Sequence, residues 1–399
     1  MSSSAAGQDP GAGVPTVDVA ALLARLDRAE PLLILDVRNE EEFARWKLEA
    51  RAAVDVLHVP YFVFLEEPGA AIAQLPRGVE VVVLCAHGGS SELVAGLLLE
   101  AGIPSANVRG GMLAYGSYLE PVPVPLEPEQ RSRFSLWQVN RRGKGCLSYV
   151  ISSGKDAVVV DPSRDAEWYE AFVAARGARI ARVLDTHVHA DHVSGGPALA
   201  RRPGVPYFVD AGEGFELRQP VARLVDGDRL RLGGEHGFEL ELRVLHTPGH
   251  TPGSTSYLVD GRFLLSGDTL FVGGVGRPDL GGHVDDWGRA LFDTLRGRLA
   301  GLAAETLVLP AHYASAGEIG ADGVVAGRLG DLRRLVPEMN VVTAEAFVEA
   351  VRGALKEPPA CYAQIVGVNL GATAPADRIS EWELGRNQCA IVPRRASGA

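Results

Sequence analysis

Residues 186–192 read Thr-His-Val-His-Ala-Asp-His, so four side chains able to bind a metal lie within one short segment. Apolar residues at 183 and 184 precede the segment, and Ser194, Gly195 and Gly196 follow it. This order is typical of a strand that ends in a loop and opens a helix. Because a sheet holds the ends of its strands, ligands placed there are partly positioned in advance. The segment predicts a metal centre with four candidate ligands: His187, His189, Asp191 and His192.

Further candidate ligands follow three later apolar runs. Residues 245–253 read Leu-His-Thr-Pro-Gly-His-Thr-Pro-Gly, residues 266–269 read Ser-Gly-Asp-Thr, and residues 309–313 read Leu-Pro-Ala-His-Tyr. Each candidate lies beside glycine or proline, so we expect each in a tight turn whose side chain points to one edge of the sheets.

The order of these motifs resembles that of the metallo-β-lactamase superfamily. The resemblance covers nearly all of residues 131–392 and implies an αββα sandwich, in which two sheets pack together between helices. It also implies a full ligand set for a two-metal site, which comprises His187, His189, Asp191, His192, His250, Asp268 and His312. His246, which lies close to His250, is not expected to be a ligand.

The N-terminal part of the chain has a different pattern. Residues 32–37 and 79–85 are continuous apolar runs, while residues 40–46 and 90–101 have helical composition. Strands without alternation, separated by helices, predict a parallel sheet that is buried on both faces. Cys85 ends the second run, and a glycine-rich loop and a helix follow it. Converging N–H groups and the positive end of a helix would lower the pKa of this thiol and stabilise an anion on its sulfur.

Four segments here resemble a rhodanese domain: residues 35–38 (Leu-Asp-Val-Arg), 42–43 (Glu-Phe), the Cys85 loop, and 108–112 (Val-Arg-Gly-Gly-Met). The resemblance implies that Cys85 accepts a sulfane sulfur as a persulfide and passes it to a nucleophile. The N–H groups of its loop would cradle the persulfide, and the loop residues are Ala86, His87, Gly88, Gly89, Ser90 and Ser91.

The loop departs from the family pattern at one position. Many thiosulfate-using members carry an arginine where this chain has Ser90. A less basic loop favours a low-molecular-weight persulfide over thiosulfate as the sulfur donor. His87 either supplies part of the missing charge or has no role.

Length and composition bound the number and class of domains. A chain of 399 residues exceeds one typical core, which favours two domains. We predict a rhodanese-like α/β domain at residues 15–120 and a metallo-β-lactamase-fold domain at residues 131–392. A proline-rich linker is expected at residues 121–130, where four prolines fall within the nine residues 120–128. Residues 1–14 and 393–399 are expected to be tails, the first of them disordered.

Charge, apolar runs and cysteine spacing indicate which partners and which cell compartment we expect. The formal charge of −11, without a Lys/Arg block, argues against nucleic acid and anionic membrane surfaces. The chain has no apolar run long enough for a membrane span and no signal-peptide pattern at its start. Four widely separated cysteines predict reduced thiols and a cytoplasmic protein. The family resemblance also makes a homodimer plausible.

Two enzyme families share this ligand set, so the ligands alone do not select the reaction. In glyoxalase II (hydroxyacylglutathione hydrolase), two Zn²⁺ ions bridged by the counterpart of Asp268 generate hydroxide that cleaves a thioester. Persulfide dioxygenases resemble mononuclear Fe(II) enzymes, with the iron held by the counterparts of His187, His250 and Asp268, which leaves positions for substrate and O₂. In that case His189, Asp191, His192 and His312 would orient the ligands and move protons.

Three features favour the dioxygenase. Residues 276–279 (Gly-Arg-Pro-Asp), and the late segments 357–362 and 369–371, resemble dioxygenases, whereas the basic C-terminal region of glyoxalase II is missing. A fused rhodanese also suits sulfane-sulfur chemistry better than thioester hydrolysis. We expect Arg277 to anchor its turn through Asp279 or to contact substrate, and Tyr313 to border the substrate.

The sequence therefore predicts a persulfide dioxygenase with one Fe(II) per chain. It would oxidise glutathione persulfide, or a similar small persulfide, with O₂ to sulfite and thiol. Sulfite would then take the sulfur on Cys85 to give thiosulfate. The alternative is a thioester hydrolase with two Zn²⁺ ions, in which the rhodanese unit serves for docking or sensing.

Overall fold

A computed structural model describes residues 13–210, 212, 215–233, 239–355, 357–358, 361–375 and 377–391. The predicted tail at 393–399, and residues 1–12 of the tail at 1–14, lie outside these residues. The chain divides into two compact units, one ending at Tyr118 and the other beginning at Leu119. Within the described ranges, no helix combines the length and the apolar character that crossing a membrane requires.

The first unit contains five strands and six helices within its described residues. Its strands are β1 Thr16–Val17, β2 Leu32–Asp36, β3 Val56–His58, β4 Glu80–Leu84 and β5 Ser105–Val108. Its helices are α1 Val19–Asp27, α2 Glu40–Arg45, α3 Tyr61–Glu66, α4 Pro68–Ile72, α5 Gly89–Glu100 and α6 Gly111–Ser117.

These strands form one parallel sheet in the order β1-β5-β4-β2-β3. The central strands are buried because their apolar residues meet helices on both faces; every residue of β2 is buried. The predicted parallel sheet with flanking helices is confirmed. Cys85 directly follows β4, so its position is fixed by the most protected part of the sheet.

The second unit contains two six-stranded sheets and a two-stranded pair within its described residues. Its strands are β6 Glu120–Pro123, β7 Ser135–Arg141, β8 Cys146–Ser153, β9 Asp156–Val160, β10 Arg179–Leu184, β11 Tyr207–Phe208, β12 Arg229–Gly233, β13 Glu239–His246, β14 Thr255–Val259, β15 Phe263–Gly267, β16 Val275–Gly276, β17 Leu307–Pro310, β18 Gly327–Arg328 and β19 Ala390–Ile391. Its α-helices are α7 Pro128–Arg131, α8 Ala166–Ala174, α9 Gly196–Arg201, α10 Val284–Asp293, α11 Leu329–Leu335, α12 Ala344–Ala354, α13 Tyr362–Asn369 and α14 Ile379–Trp382. A π-helical turn, Thr294–Arg298, continues α10, and 3₁₀ turns span Ala316–Glu318 and Pro337–Asn340.

The two large sheets pack face to face. One has the order β11-β10-β9-β8-β7-β6 and the other β12-β13-β14-β15-β17-β18. Their inner faces share one core, to which β8 contributes Tyr149 and β13 contributes Leu242. Helices α8 and α9 cover the outer face of the first sheet, and α10, α11 and α12 cover that of the second. The predicted αββα sandwich is confirmed.

The structure differs from the linker predicted at residues 121–130. Glu120–Pro123 pairs antiparallel with β7 and forms the outermost strand of the first sheet, and Pro128–Arg131 is a short helix. Proline lacks an N–H group, and an edge strand tolerates it because only one side of that strand has a partner. The prolines therefore mark the edge of a sheet in the second unit, and the boundary between the units lies just before them.

The candidate ligands all follow strand ends. Strands β9 and β10 are parallel neighbours, and so are β15 and β17, so each pair delivers two loops to the same edge of the sandwich. The loop after β10 lies directly against the loop after β9: the Gly195 N–H donates to the Pro162 carbonyl at 2.8 Å. A Cβ atom at Gly195 would lie 2.1 Å from the Ser163 carbonyl oxygen, so only glycine fits.

Gly195→Ala is expected to lower the free energy of unfolding of the second unit by about 1–3 kcal/mol, because the added methyl group must push the two loops apart. Gly353→Ala, at an exposed position of helix α12 with no atom within 4 Å of the added group, should instead stabilise the unit by about 0.5–1 kcal/mol. Urea unfolding of the metal-free chain, followed by circular dichroism, measures both changes. Equal stability of the Gly195 variant and the wild type would contradict the close approach.

Candidate metal centre

Three buried polar atoms without hydrogen-bond partners converge at the edge of the sandwich. Oδ2 of Asp268 lies 3.7 Å from Nε2 of His187 and 3.5 Å from Nε2 of His250. None of the three atoms has a hydrogen-bond partner, and the three residues are at most 1% exposed. Buried polar atoms are rarely left unpaired in this way unless a ligand satisfies them. Two imidazole nitrogens and one carboxylate oxygen are a donor set that divalent transition metals prefer.

The other nitrogen of each imidazole is already engaged. Nδ1 of His187 lies 2.9 Å from the Thr186 hydroxyl, and Nδ1 of His250 lies 2.8 Å from the Arg277 carbonyl oxygen. A carbonyl only accepts, so His250 must donate from Nδ1. The Thr186 hydroxyl can donate its own proton to Asp161, at 3.0–3.1 Å, while it accepts from His187. Both rings then direct the lone pair of Nε2 toward Asp268, as metal ligands require.

The electrostatics of this group also suit a cation. Burial, followed by the neighbouring charge of His189, holds the pKa of His187 well below its usual value. Burial likewise lowers the pKa of His250. Burial alone would raise the pKa of Asp268, but His312 and His187 outweigh it and keep that pKa below its usual value. At neutral pH the group therefore presents two neutral imidazoles and one carboxylate.

His189 does not join this group. Its Nε2 lies 3.1 Å from Oδ1 of Asp161, a carboxylate that also accepts from the Thr186 N–H at 2.7 Å. Asp161 follows β9, the parallel neighbour of β10, so both partners come from adjacent strand ends. Sequence reasoning missed Asp161, although its place after an apolar run was the available signal. The cluster of converging atoms thus comes from two histidines and one carboxylate, while Nδ1 of His189 also remains buried without a hydrogen-bond partner.

His312 lies between two carboxylates. Its Nδ1 donates to Oδ1 of Asp268 at 2.6 Å, and its Nε2 lies 3.2 Å from Oδ2 of Asp191. Burial alone would lower the pKa of His312, but Asp191 and Asp268 hold it well above its usual value. The two oxygens of Asp268 therefore have separate environments, since one faces the histidine pair and the other accepts from His312.

Cysteines border the second cluster of predicted ligands. Sγ of Cys146 lies 3.2 Å from Oδ2 of Asp191 and 3.8 Å from Nδ1 of His192, and these residues form a buried group with His312. Cys389 lies beside Asp268 and His312 in the same way. The cysteines in the described ranges are free. Nothing in the spacing of these two cysteines reveals their positions, because each reaches the centre only through the tertiary fold.

The segment after α12 fastens the loop that carries the first four ligands. Nδ2 of Asn369 donates to the carbonyls of His189 and His192 at 2.8 and 2.9 Å, and its Oδ1 accepts from the Ser194 N–H at 2.9 Å. Oε1 of Glu383 accepts from the Val193 N–H at 2.9 Å. A single amide side chain thus holds both sides of the loop. The sequence indicated residues 369–371 as a family feature but gave no role to Asn369.

Two other residues predicted near the site support the surrounding chain. Arg277 forms a bidentate ion pair with Asp279, with N···O distances of 2.7 and 2.8 Å, while its carbonyl fixes His250. The Tyr313 hydroxyl donates to Asn140 at 2.9 Å, and the residue is only 1% exposed. His246 lies outside the clusters, with Nε2 3.0 Å from the Pro252 carbonyl.

In the first unit, the loop after β4 surrounds the sulfur of Cys85. Sγ accepts from the Gly88 N–H at 3.1 Å and from the Ser91 hydroxyl at 3.0 Å. Gly88 has a φ of +100°, which favours glycine and turns its N–H toward the sulfur. Asn107, which sequence reasoning missed, donates to the Gly88 carbonyl at 3.1 Å and lies 2.7 Å from the Ser91 hydroxyl. Contacts of this kind stabilise negative charge on sulfur.

Comparison with known proteins assigns both units to families. The metallo-beta-lactamase superfamily matches residues 141–312, and the rhodanese-like domain family matches residues 18–117. A hydroxyacylglutathione hydrolase from Anaeromyxobacter dehalogenans (strain 2CP-C) is 39% identical over 177 residues, which cover 44% of this chain and 65% of that protein. The chain therefore spans less than two thirds of that relative.

Two further proteins are similar to this chain. The probable metallo-hydrolase YqgX from Bacillus subtilis (strain 168) is 30% identical over 185 residues, which cover 41% of this chain and 83% of the relative. The solved structure of ETHE1 from Myxococcus xanthus is 28% identical with a TM-score of 0.51, and the match covers 59% of this chain and 97% of that one.

Asn369→Ala is expected to weaken metal binding about 10–100-fold, because the ligand loop loses three hydrogen bonds that hold its backbone. Competition with a chromophoric chelator, using Co²⁺ as the probe, measures this affinity without any reaction. Asn340→Ala is a matched control, since Asn340 also donates to backbone carbonyls, at 3.1 and 3.5 Å, but belongs to a distant 3₁₀ turn. If both variants bind Co²⁺ as the wild type does, Asn369 does not position the loop.

Proposed function

Because the chain belongs to the metallo-beta-lactamase superfamily and carries a rhodanese-like domain before that unit, we propose that it oxidises small persulfides with one Fe(II) and transfers sulfane sulfur through Cys85. The observation that carries the proposal is the convergence of three unpaired atoms on His187, His250 and Asp268. His189 is bonded to Asp161 through Nε2, and its Nδ1 is buried without a partner, so this ring is the candidate for an additional ligand. Two histidines and one carboxylate with open positions suit a non-haem Fe(II) oxygenase.

The overall reaction balances without any further oxidant. A persulfide, O₂ and water give a thiol, sulfite and one proton: R–S–S⁻ + O₂ + H₂O → R–SH + SO₃²⁻ + H⁺. Both atoms of O₂ go to the outer sulfur, which is oxidised, and the S–S bond breaks to release the thiol. Fe(II), when bound, would supply the means for O₂ to react with the persulfide.

The residues of the chain prepare that site. His187, His250 and Asp268 would hold the ion, and Thr186 and the Arg277 carbonyl keep both imidazoles in the required tautomer. His312 fixes the carboxylate of Asp268 by donating from Nδ1. Because the three ligand residues are almost fully buried, bulk water has little access to them and their charges are weakly screened.

The first unit would consume the sulfite. In a persulfide on Cys85, the Gly88 N–H and the Ser91 hydroxyl, which lie 3.1 and 3.0 Å from Sγ, would stabilise the negative charge that returns to Sγ when the outer sulfur is transferred. Sulfite attacks that outer sulfur, a new S–S bond forms in thiosulfate, and the Cys85 thiolate leaves. The step needs no redox partner, since the sulfane sulfur moves between two nucleophiles. The first unit would then transfer sulfur to the sulfite that the second unit releases.

Thioester hydrolysis is the competing function, and one observation favours it. The chain is 39% identical over 177 residues to a hydroxyacylglutathione hydrolase. That chemistry requires Asp268 to bridge two ions, with Asp191, His192 and His312 as ligands of the second. In this structure the second oxygen of Asp268 accepts from His312 at 2.6 Å. Nε2 of His192 and Nε2 of His312 are also buried without hydrogen-bond partners, so these residues would be available to a second ion.

The purified protein is expected to contain about one iron per chain, to consume O₂ with glutathione persulfide, and to leave S-lactoylglutathione intact. His187→Gln should lose the iron, because it removes one of the three proposed ligands. His189→Gln should retain it, because the glutamine amide can still donate to Asp161. Elemental analysis and an oxygen electrode measure these outcomes. Two zinc ions per chain together with thioester hydrolysis would replace the dioxygenase with a hydrolase.

Cys85→Ser is expected to leave O₂ consumption with glutathione persulfide unchanged while thiosulfate formation stops and sulfite accumulates. The reason is that a serine hydroxyl cannot carry a sulfane sulfur. Ion chromatography of sulfite and thiosulfate provides the measurement, and Cys361→Ser, which changes a half-buried cysteine in the second unit, is the matched control. An unchanged thiosulfate yield in the Cys85 variant would refute the coupling of the two units.

A further inference from the structure

Cys85 lines a cavity of about 240 Å³ within the first unit. The cavity lies between the loop after β2, the start of helix α3 and the Cys85 loop. Besides Cys85, the residues that determine its chemistry are Arg38, Glu42, Tyr61, Phe62, His87 and Ser90. Any molecule that delivers sulfur to Cys85 must fit among these side chains, so their charge and polarity select the donor.

Arg38 is not available to an incoming anion. Its guanidinium forms a bidentate pair with Asp36, with N···O distances of 2.6–3.1 Å, and both residues are at most 5% exposed. It also donates to the carbonyls of Glu42 at 3.1 Å and Trp46 at 2.6 Å, so each of its three nitrogens already has an acceptor. The positive charge of Arg38 is therefore neutralised inside the unit.

The remaining charges do not favour a dianion. Glu42, an acidic residue, and Ser90, a neutral one, both line the cavity. Among the described residues lining the cavity, His87 is the other side chain that can carry positive charge, and it is exposed to solvent. Apart from the exposed His87, none of the described lining residues offers a compact dianion such as thiosulfate a charge-assisted partner in place of the hydration that it would lose here.

The mouth of the cavity is aromatic. Tyr61 and Phe62 begin helix α3, remain 41% and 45% exposed, and pack edge to face with ring centroids 6.1 Å apart. Two adjacent exposed rings beside a reactive thiol offer apolar area that a ligand with a hydrocarbon body can cover. Leu65, on the same helix, is 53% exposed but lies outside the cavity.

We propose that the Cys85 cavity selects singly charged sulfane-sulfur donors with an apolar body over inorganic thiosulfate, and that Tyr61 and Phe62 determine this specificity. The inference rests on the sulfur transfer proposed for Cys85 and names its class of donor. The neutralised Arg38 and the neutral Ser90 set the charge preference, and the two rings set the preference for an organic body.

Benzenethiosulfonate, C₆H₅SO₂–S⁻, is a suitable probe donor. The Cys85 thiolate attacks its outer sulfur, the new S–S bond forms a persulfide on Cys85, and the bond between that sulfur and the sulfonyl group breaks. Benzenesulfinate leaves with the electron pair. Cyanide then removes the outer sulfur as thiocyanate and restores the thiolate, so the cycle needs no added oxidant or reductant.

The full-length chain is tested with benzenethiosulfonate, methanethiosulfonate and thiosulfate, each with cyanide as acceptor. Methanethiosulfonate carries the same single charge as benzenethiosulfonate but lacks the ring, so the three donors separate charge from apolar contact. We expect kcat/KM to fall in that order, with about a hundredfold between the first and the last, because each of the two steps costs roughly a factor of ten.

Two substitutions test which residues determine the charge preference and the preference for an apolar body. Phe62→Ala should lower kcat/KM about tenfold for benzenethiosulfonate and less for the two donors without a ring. Ser90→Arg should raise kcat/KM for thiosulfate about tenfold or more, because a charged hydrogen bond to the dianion becomes available. Leu65→Ala, an equally exposed change outside the cavity, should alter neither preference.

The outcomes separate this inference from the function on which it rests. Equal or greater kcat/KM for thiosulfate in the wild type, with thiocyanate formation that depends on Cys85, overturns the donor preference and leaves the sulfur transfer intact. If no donor adds a sulfur atom to Cys85 in intact-protein mass spectrometry, the proposed sulfur transfer and the preference both fail.

Discussion

One buried carboxylate organises the second unit. Asp268 is 1% exposed, yet its two oxygens face three histidines that arrive from three other strand ends. Taking a carboxylate out of water is costly unless donors or a cation compensate for it. His312 compensates one oxygen by a hydrogen bond of 2.6 Å, and the other oxygen, beside two unpaired imidazole nitrogens, is left for a metal. The two sheets therefore have to pack so that these four strand ends lie together at one edge.

A second constraint is that the loops at this edge hold one another. The loop after β10 is bonded to the loop after β9 through Gly195 and through the pair of His189 and Asp161. Asn369 and Glu383 close the same loop from the other side. Each ligand is thus positioned by residues distant in the chain, which explains how a site composed of loops can be rigid.

Local patterns along the chain predicted the elements and the candidate ligands. The continuous apolar run at β2 predicted a buried parallel strand, and the dense group of histidines after β10 predicted metal ligands. What remained hidden depends on tertiary packing. Asn369 contacts carbonyls about 180 residues earlier, and Cys146 reaches Asp191 across 45 positions, and no periodicity encodes such contacts. The prolines of residues 121–128 predicted a linker, but proline is compatible both with a linker and with an edge strand. Only the tertiary pairing with β7 distinguishes the two.

The fastening of the ligand loop by Asn369 has a consequence for biosynthesis. A ribosome makes the chain from its N-terminus, and domains begin to fold as they emerge. The histidine-rich loop is synthesised about 180 residues before the amide that clasps it. Until Asn369 and Glu383 are synthesised, the nascent loop lacks its hydrogen bonds to them. A metal that binds at this time meets a loop that is not yet held in place. The loop can therefore be held in its final position only after residues 369 and 383 have been synthesised.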